Sequence, residues 1–212
     1  MAIFKNGLNQ GYIGKAGNTV TYLLNGKLVT RRIGKSLKPA TVPQLASRQI
    51  TSIIAAFLSP LNSFTLIGFE LEGKRRHLHP YIAASSYNRS NAIAGTYPDQ
   101  YIDFQKVLLT KGNMPDTLGI TVEMDENGLV FTWNKIAGIK GHSDSDKVML
   151  MAYMPGRETA IYVLNAAQRN EGVARLAIPK RRIPLIVETY ISFVSYNHKS
   201  IADSIYTGQF SR

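Results

Sequence analysis

The apolar positions of this chain follow a helical period near the N-terminus and a period of two from about residue 101 onward. The helical period is carried by Ala46, Ile50, Ile53, Ile54 and Phe57. Residues at this spacing fall on one face of a helix and can be buried together. Thr41-Val-Pro-Gln44 before them is a capping box, and Ser59-Pro60 would end the helix. The pattern predicts one clear α-helix, followed by little regular structure over residues 64–94.

An Asn25-Gly26 pair precedes this helix and separates two short runs of β-branched and aromatic residues. Asn-Gly favours a type I′ turn, in which both central residues have positive φ, so the pair predicts a β-hairpin. A two-residue loop also sets the register, with Val20 opposite Arg31. Because neighbouring strand residues point to opposite faces, Arg31 and Arg32 would lie on different sides of the hairpin.

The C-terminal half alternates apolar and polar residues in short segments separated by Gly, Pro and Asn. The candidate strands are 104–110, 118–124, 129–134, 146–154, 159–165, 172–178 and 186–196, with 201–209 as an eighth. Short strands at this spacing, with Trp133 and Tyr153 as core aromatics, indicate an immunoglobulin or fibronectin III-like antiparallel β-sandwich. We therefore predict a mainly β protein with two units, 1–96 and 97–212, of which the second would fold alone.

Charge is distributed unevenly along the chain. Residues 1–100 hold 12 basic and 3 acidic side chains, whereas residues 101–212 hold 13 and 11, and no acidic residue occurs before Glu70. A field of one sign attracts a polyanion or an acidic partner. The chain has no cysteine, which excludes disulfides, cysteine nucleophiles and thiolate metal sites. We find neither a signal-peptide pattern nor a run of about 20 apolar residues, and expect a soluble, cytoplasmic protein without a membrane partner.

Motifs for catalysis or metal binding are weak. A phosphate-binding loop requires Gly-Lys-Ser/Thr before a helix, but here Gly14-Lys15 is followed by Ala16 and a strand pattern. The His77-x-His79 pair would place two imidazoles on one side of a strand, but its spacing matches no common metal motif. Asp144 and Asp146 are interpreted as turn formers. We therefore expect no enzyme, no cofactor, no metal and no small-molecule substrate.

Basic residues give the strongest functional pattern, because lysine and arginine neutralise phosphates whatever the base sequence. The candidate nucleic-acid-binding residues are Lys15, Arg31, Arg32, Lys35, Lys38, Arg48, Lys74, Arg75 and Arg76. Tyr12 and Tyr22 lie among them and could stack on bases. A second basic cluster is Lys180-Arg181-Arg182. The alternative interpretation is a solvated surface that keeps the protein soluble, although ordinary surfaces mix both signs of charge.

Several segments resemble an uncharacterised family of bacterial proteins of about this length, largely from Bacteroidota. They are Gly14 to Val20, Gly26 to Arg31, Pro39 to Arg48, Tyr87 to Ala92 and Phe131 to Trp133. Thr41 to Arg48 also looks like a Thr-x-x-Gln-x-x-x-Arg signature of small phage and prophage proteins. The resemblance implies a mobile-element or assembly context, with a place in a phage-like particle as one location, and brings no known activity.

Two functions follow as hypotheses. The first is non-enzymatic binding of DNA, RNA or another polyanion through the basic N-terminal unit. The second is a structural or assembly role, in which the glycine-rich N-terminal arm and the hairpin dock on neighbouring subunits, with a homo-oligomer as one form. A hairpin that adds strands to a partner's sheet is a known mode of recognition.

Overall fold

The computed structural model of this chain describes residues 2–4, 12–35, 38–135, 141–179 and 185–212. It divides into two compact units, Met1–Thr41 and Val42–Arg212. This division does not coincide with the boundary at residue 96 expected from the sequence. The reason is that residues 42–96 form helices that share a hydrophobic core with the C-terminal strands.

The N-terminal unit is a single antiparallel sheet in the strand order β1-β2-β3-β4. Its strands are β1 (Ala2–Phe4), β2 (Tyr12–Ala16), β3 (Thr19–Leu24) and β4 (Lys27–Arg32). The predicted hairpin is confirmed in its register, because Val20 pairs with Arg31 and Thr19 with Arg32. Asn25 and Gly26 have φ values of 49° and 77°, as a type I′ turn requires.

The second unit begins with four helices, where the sequence predicted one. They are α1 (Val42–Leu58), α2 (Asn62–Gly68), α3 (Glu70–Arg76) and α4 (Pro80–Asn91). The first confirms the predicted helix, whereas the expectation of little regular structure over residues 64–94 was wrong. The buried residues of α4 are Ala83, Ala84 and Asn88, so its core face is made of small and polar side chains. Such a face produces almost no apolar periodicity in the sequence.

The described strands of the second unit include seven that follow the predictions and two short ones, Ile93–Ala94 and Tyr101–Ile102, that were not predicted. They are β5 (Ile93–Ala94), β6 (Tyr101–Ile102), β7 (Thr121–Met124), β8 (Gly128–Thr132), β9 (Lys147–Met154), β10 (Thr159–Val163), β11 (Val173–Ala177), β12 (Ile186–Val194) and β13 (Ile205–Ser211). The strand predicted at 104–110 is absent, and Phe104–Lys106 forms a 3₁₀ turn instead. Asp103 Oδ1 accepts a hydrogen bond from the Gln105 amide at 3.2 Å, which caps this turn.

A four-stranded sheet with the order β10-β9-β12-β13 lies at the centre of the second unit. One face packs on the helices, where Met151 and Tyr190 join Phe57 in one core cluster. The other face packs on a three-stranded sheet, β11-β8-β7, and contributes Leu150 and Ile191 to a second cluster. Strands covered on both faces become continuously apolar, and β9 is buried from its second residue to its last. The protein is mainly β, with a helical layer against one face of its central sheet.

One helical stretch contradicts the prediction that the chain has no apolar run long enough to span a bilayer. The helical stretch Val42–Gly68 is 27 residues long with a mean hydropathy of 1.6, and 33% of its most apolar window is buried inside the structure. Length and composition alone would permit a membrane span. Ile54, Leu58 and Phe64 of this stretch are nevertheless fully buried in the core beneath the central sheet, as in the core helix of a globular domain.

Candidate functional site

The nine predicted binding residues are divided between the two compact units. Lys15, Arg31, Arg32, Lys35 and Lys38 belong to the N-terminal unit. Arg48, Lys74, Arg75 and Arg76 belong to the second unit, on α1 and α3.

Strand register places several cations on the same face of the N-terminal sheet. Val20 pairs with Lys15 on one side and with Arg31 on the other, and residues directly opposite each other point to the same face. Tyr22 lies two positions along β3 and shares this face, where the Arg31 guanidinium stands 5.8 Å from its ring centroid. Lys27, opposite Leu24, is on the same side. We call Lys15, Tyr22, Lys27 and Arg31 the basic face.

The opposite face is lined by hydroxyl groups. Tyr12 Oη and Thr19 Oγ1 are 2.8 Å apart, and Thr21 Oγ1 lies 2.9 Å from Thr30 Oγ1. The hydrogen bond with Thr19 lowers the pKa of Tyr12 from its usual value. Thr21 is only 1% exposed. This face therefore carries neutral polar groups, and its strand cation Arg32 stands level with Thr19 at the open end of the hairpin.

Arg32 also borders a hollow of about 290 Å³ that is lined by Asn18, Ile33, Gly34 and Lys35. The Ile33 amide donates to the Asn18 carbonyl at 2.8 Å and extends the hairpin pairing by one residue. The structure thus brings Arg32 and Lys35 together, away from the basic face. Lys38 follows further along the chain and is exposed.

The cations of the N-terminal unit have no acidic partner within it. Residues 1–41 contain seven lysines and arginines and no aspartate or glutamate. Lys15, Lys27, Arg31 and Arg32 are all exposed. Because neutralising carboxylates are missing from this unit, each cation adds to one positive field. An approaching anion meets several cations that form no ion pair among the described residues.

The predicted cations on α3 are largely neutralised by their own helix. Lys74 Nζ lies 2.6 Å from Glu70 Oε1, and Arg75 contacts both carboxylate oxygens of Glu72 at 2.8 Å. The hydrogen bond from Arg75 is the largest cause of the lowered pKa of Glu72. Arg76 and the exposed Arg48 form no ion pair among the residues that the structure describes.

The histidine pair and the two aspartates that the sequence analysis considered occupy turns and a buried ion pair. His77 ends α3 in a left-handed conformation, and His79 caps α4 by accepting the Tyr81 amide at its Nδ1. The two histidines therefore lie in a turn between two helices, and not on a strand that would place both imidazoles on one side. Asp144 is exposed, but Asp146 is buried with Arg169. Among the described residues, no group of three or more His, Asp or Glu side chains is arranged to hold a metal.

Two features escaped the sequence analysis. Arg89 on α4 reaches α1, where its Nη1 donates to Thr51 Oγ1 at 2.6 Å and its Nη2 to Ser47 Oγ at 2.7 Å. The i to i+4 spacing of Ser47 and Thr51 was the available signal, but the helix that carries Arg89 was not predicted. The hairpin tip also exposes three leucines, Leu23, Leu24 and Leu28, at 48%, 53% and 46%.

Two sequence motifs lie outside the described residues. These are the basic cluster Lys180-Arg181-Arg182 and the glycine-rich stretch that contains Gly7 and Gly11.

Comparison with known proteins gives one match. A family model described as a family of unknown function spans residues 11–208, almost the whole chain. No curated protein and no solved structure matches. The matched range includes most of both compact units. Function must therefore be argued from the residues themselves.

Proposed function

The chain belongs to DUF6266, a family of unknown function, and from its own residues we propose that it binds a polyanion, DNA or RNA, without catalysis. The basic face is the proposed contact surface. In this proposal the chain acts in the cytoplasm, where such polymers are abundant. Lys15, Lys27 and Arg31 neutralise phosphates, and Tyr22 offers a ring on which a base can stack.

One observation carries the proposal: three exposed cations share a face in a unit that contains no carboxylate. Lys15 and Arg31 stand two strands apart, so their backbones are separated by roughly 10 Å. That spacing lets them reach different phosphates of one strand. Recognition through lysine and arginine at a sheet surface also predicts little preference for base sequence.

The test is the salt dependence of binding to labelled duplex DNA and to single-stranded RNA, followed by fluorescence anisotropy. With three to five phosphate contacts, log Kd for duplex DNA should change with log salt at a slope of about 2.7 to 4.5, since each contact contributes about 0.9. For single-stranded RNA the slope should be about 2.1 to 3.5, since each contact contributes about 0.7. The double variant Lys15→Ala with Arg31→Ala should lose about two phosphate contacts, so its slope for duplex DNA should be lower by about 1.8. Lys74→Ala with Arg76→Ala removes the same charge from α3 and serves as the matched control.

The proposal requires that the control pair retain the slope of the natural protein. Equal losses from both pairs would show that only overall charge matters. No measurable binding to either polymer at about 50 mM salt would eliminate the proposal.

The alternative function is assembly, and the exposed leucines of the hairpin tip favour it. Leu23 and Leu28 pair directly across the strands and present an apolar surface at the end of an otherwise basic sheet. Such a tip could insert into a neighbouring subunit of a phage-like structure.

An assembly protein should remain a defined oligomer on size exclusion at high salt, and Leu23→Ser with Leu28→Ser should convert it to monomer. A polyanion binder should be monomeric under the same conditions and free of nucleic acid.

We also propose that the paired sheets of the second unit are a fibronectin III-like module. A three-stranded β11-β8-β7 sheet facing a four-stranded β10-β9-β12-β13 sheet supports this, as does Trp133 in the core between them. The helical layer on the outer face of the four-stranded sheet is an addition to that architecture. An experimental structure with a different strand order would refute the assignment.

A further inference from the structure

The second unit contains a cleft whose lining is rich in hydrogen-bond donors. Its volume is about 410 Å³, within the range of small-molecule sites. Three segments form it: α3, the stretch 111–113 and the connection between β12 and β13. Its lining residues are Leu71, Glu72, Arg75, Lys111, Gly112, Asn113 and Lys199.

The charges of this cleft leave a surplus of donors. Three of its residues are cations and one is a carboxylate, and both oxygens of Glu72 already accept hydrogen bonds from Arg75. Lys199 has no carboxylate partner among the described residues. The Lys111 ammonium lies over the Tyr87 ring, 4.4 Å from its centroid, and also helps to lower the pKa of Glu72. The lining of the cleft therefore offers more hydrogen-bond donors than acceptors, so a ligand that supplies acceptors would suit it.

The segments that carry these donors are fixed to one another. The Met114 amide donates to the Ile201 carbonyl at 2.9 Å, and the Gly112 amide donates to Asp203 Oδ1 at 2.9 Å. A Cβ on Gly112 would lie 2.1 Å from the Ile201 carbonyl oxygen, so only glycine permits this approach. Ser200 Oγ donates to Asn113 Oδ1 at 3.0 Å, so the side-chain oxygen of Asn113 already accepts a hydrogen bond. The remaining Asn113 donor, Nδ2, has no protein partner among the described residues.

We propose that this cleft binds a small molecule carrying an oxyanion, a phosphate or a carboxylate group. Lys111 and Lys199 supply the charge, and Asn113 Nδ2 supplies a directed neutral donor. Charge-assisted hydrogen bonds of this kind are the strong ones in protein sites. Arg75, held by Glu72, forms one wall of the cleft. All residues of this site belong to the second unit, whereas the basic face belongs to the N-terminal unit.

The experiment uses the full chain labelled with ¹⁵N and titrated at constant ionic strength with pyrophosphate in one arm and citrate in the other. The amide signals of Gly112 and Asn113 give a local readout that binding at the N-terminal sheet does not move. We expect saturable shifts of both signals in at least one arm. The arm with the tighter binding identifies phosphate or carboxylate as the preferred group.

Two variants test the assignment. Lys111→Met with Lys199→Met should weaken binding by about ten-fold or more, since it removes two charge-assisted contacts. Lys135→Met with Lys147→Met is the matched control, because it removes the same charge and Lys147 also lies over a tyrosine ring, that of Tyr196. Asn113→Asp, which adds a carboxylate, should abolish binding. Non-saturating shifts in both arms, or equal weakening by the control pair, would overturn the proposal.

Discussion

Asp146 and Arg169 form an ion pair inside the second unit, with Arg169 Nε 3.1 Å from Asp146 Oδ2. The two residues are only 1% and 4% exposed. Asp146 also accepts the Ser143 amide at 2.9 Å, and the guanidinium lies 4.1 Å from the Phe193 ring centroid. Asp146 is thus a turn former, as the sequence indicated, and in addition the counter-ion of a buried arginine.

Removing the charge of Asp146 should strongly destabilise the protein. Asp146→Asn leaves the buried guanidinium of Arg169 without its counter-ion, and breaking a buried pair costs about 3–5 kcal/mol. Urea denaturation measures this as a lower midpoint. Asp144→Asn is the control, because Asp144 is exposed and its replacement should change the free energy of unfolding by less than about 0.5 kcal/mol. Similar midpoints for the two variants would contradict the structural role of the pair.

The buried face of α1 can be tested by truncation. Ile54 is 1% exposed in the core between helices and central sheet, so Ile54→Ala should cost about 2–5 kcal/mol through lost transfer energy and a cavity. Val42, on the same helix, is 64% exposed, and Val42→Ala should change stability by less than about 0.5 kcal/mol. An unchanged urea midpoint for Ile54→Ala would mean that the helix does not pack on the sheet.

The boundary of the folding unit leads to a prediction that reverses the expectation from the sequence. The segment 97–212 on its own would expose the face of the central sheet that carries Met151 and Tyr190, which the helices cover. We expect this fragment to lack a cooperative thermal transition, whereas 42–212 should show one. Exposed apolar patches of this kind also favour aggregation. A cooperative transition for 97–212 would show instead that the C-terminal strands fold without the helices.

Arg31 and Arg32 are neighbours in sequence but should differ in binding. Arg31 shares the basic face with Lys15 and Tyr22, whereas Arg32 lies on the hydroxyl-lined face. Arg31→Ala should remove one phosphate contact and so lower the salt slope of duplex DNA binding by about 0.9, whereas Arg32→Ala should leave the slope nearly unchanged. Circular dichroism of both variants verifies the fold. A larger effect of Arg32→Ala would place the contact at the hollow near Lys35 instead.

Asp125 should contribute to the dependence of stability on pH. Hydrogen bonds from the Asn127 and Gly128 amides, together with a hydrogen bond from Arg175 and its positive charge, lower the pKa of Asp125 from the ordinary value of 3.8. A group with a depressed folded-state pKa stabilises fully above its unfolded-state pKa, and this contribution is lost as pH falls through the folded-state pKa. The difference in stability between the natural protein and Asp125→Ala should therefore be constant near neutral pH and shrink below about pH 4.

Arg175→Ala separates the two kinds of support for Asp125. Because hydrogen bonds from the Asn127 and Gly128 amides also lower the pKa of Asp125, removing the arginine should leave part of the pH dependence in place. If Arg175→Ala removed as much of the pH dependence of stability as Asp125→Ala does, the ion pair with Arg175 would be the main cause of the lowered pKa of Asp125.

Local patterns were sufficient for much of this fold. Asn25-Gly26 predicted a turn and, through its length, the register that sets Val20 opposite Arg31, because both depend only on adjacent residues. The pairing that brings Lys15 to the same face was not predicted from the sequence. The α1 helix and most of the C-terminal strands followed from periodicity for the same reason. The absence of acidic residues before Glu70 is likewise a property of the sequence alone, and it is the basis of the proposed function.

The tertiary structure decided what covers each surface. The continuous apolar run of β9 did not reveal that one of its faces meets helices, since burial by a second sheet would require the same residues. The helix α4 remained hidden because Ala83, Ala84 and Asn88 give little amphipathic signal, and Asn88 is buried only because Leu108 supplies partners for its amide. The pairing of Asp146 with Arg169 and the cleft at Lys111 and Lys199 join residues far apart in the chain. Such contacts arise from packing of distant elements, which no local pattern of residues contains.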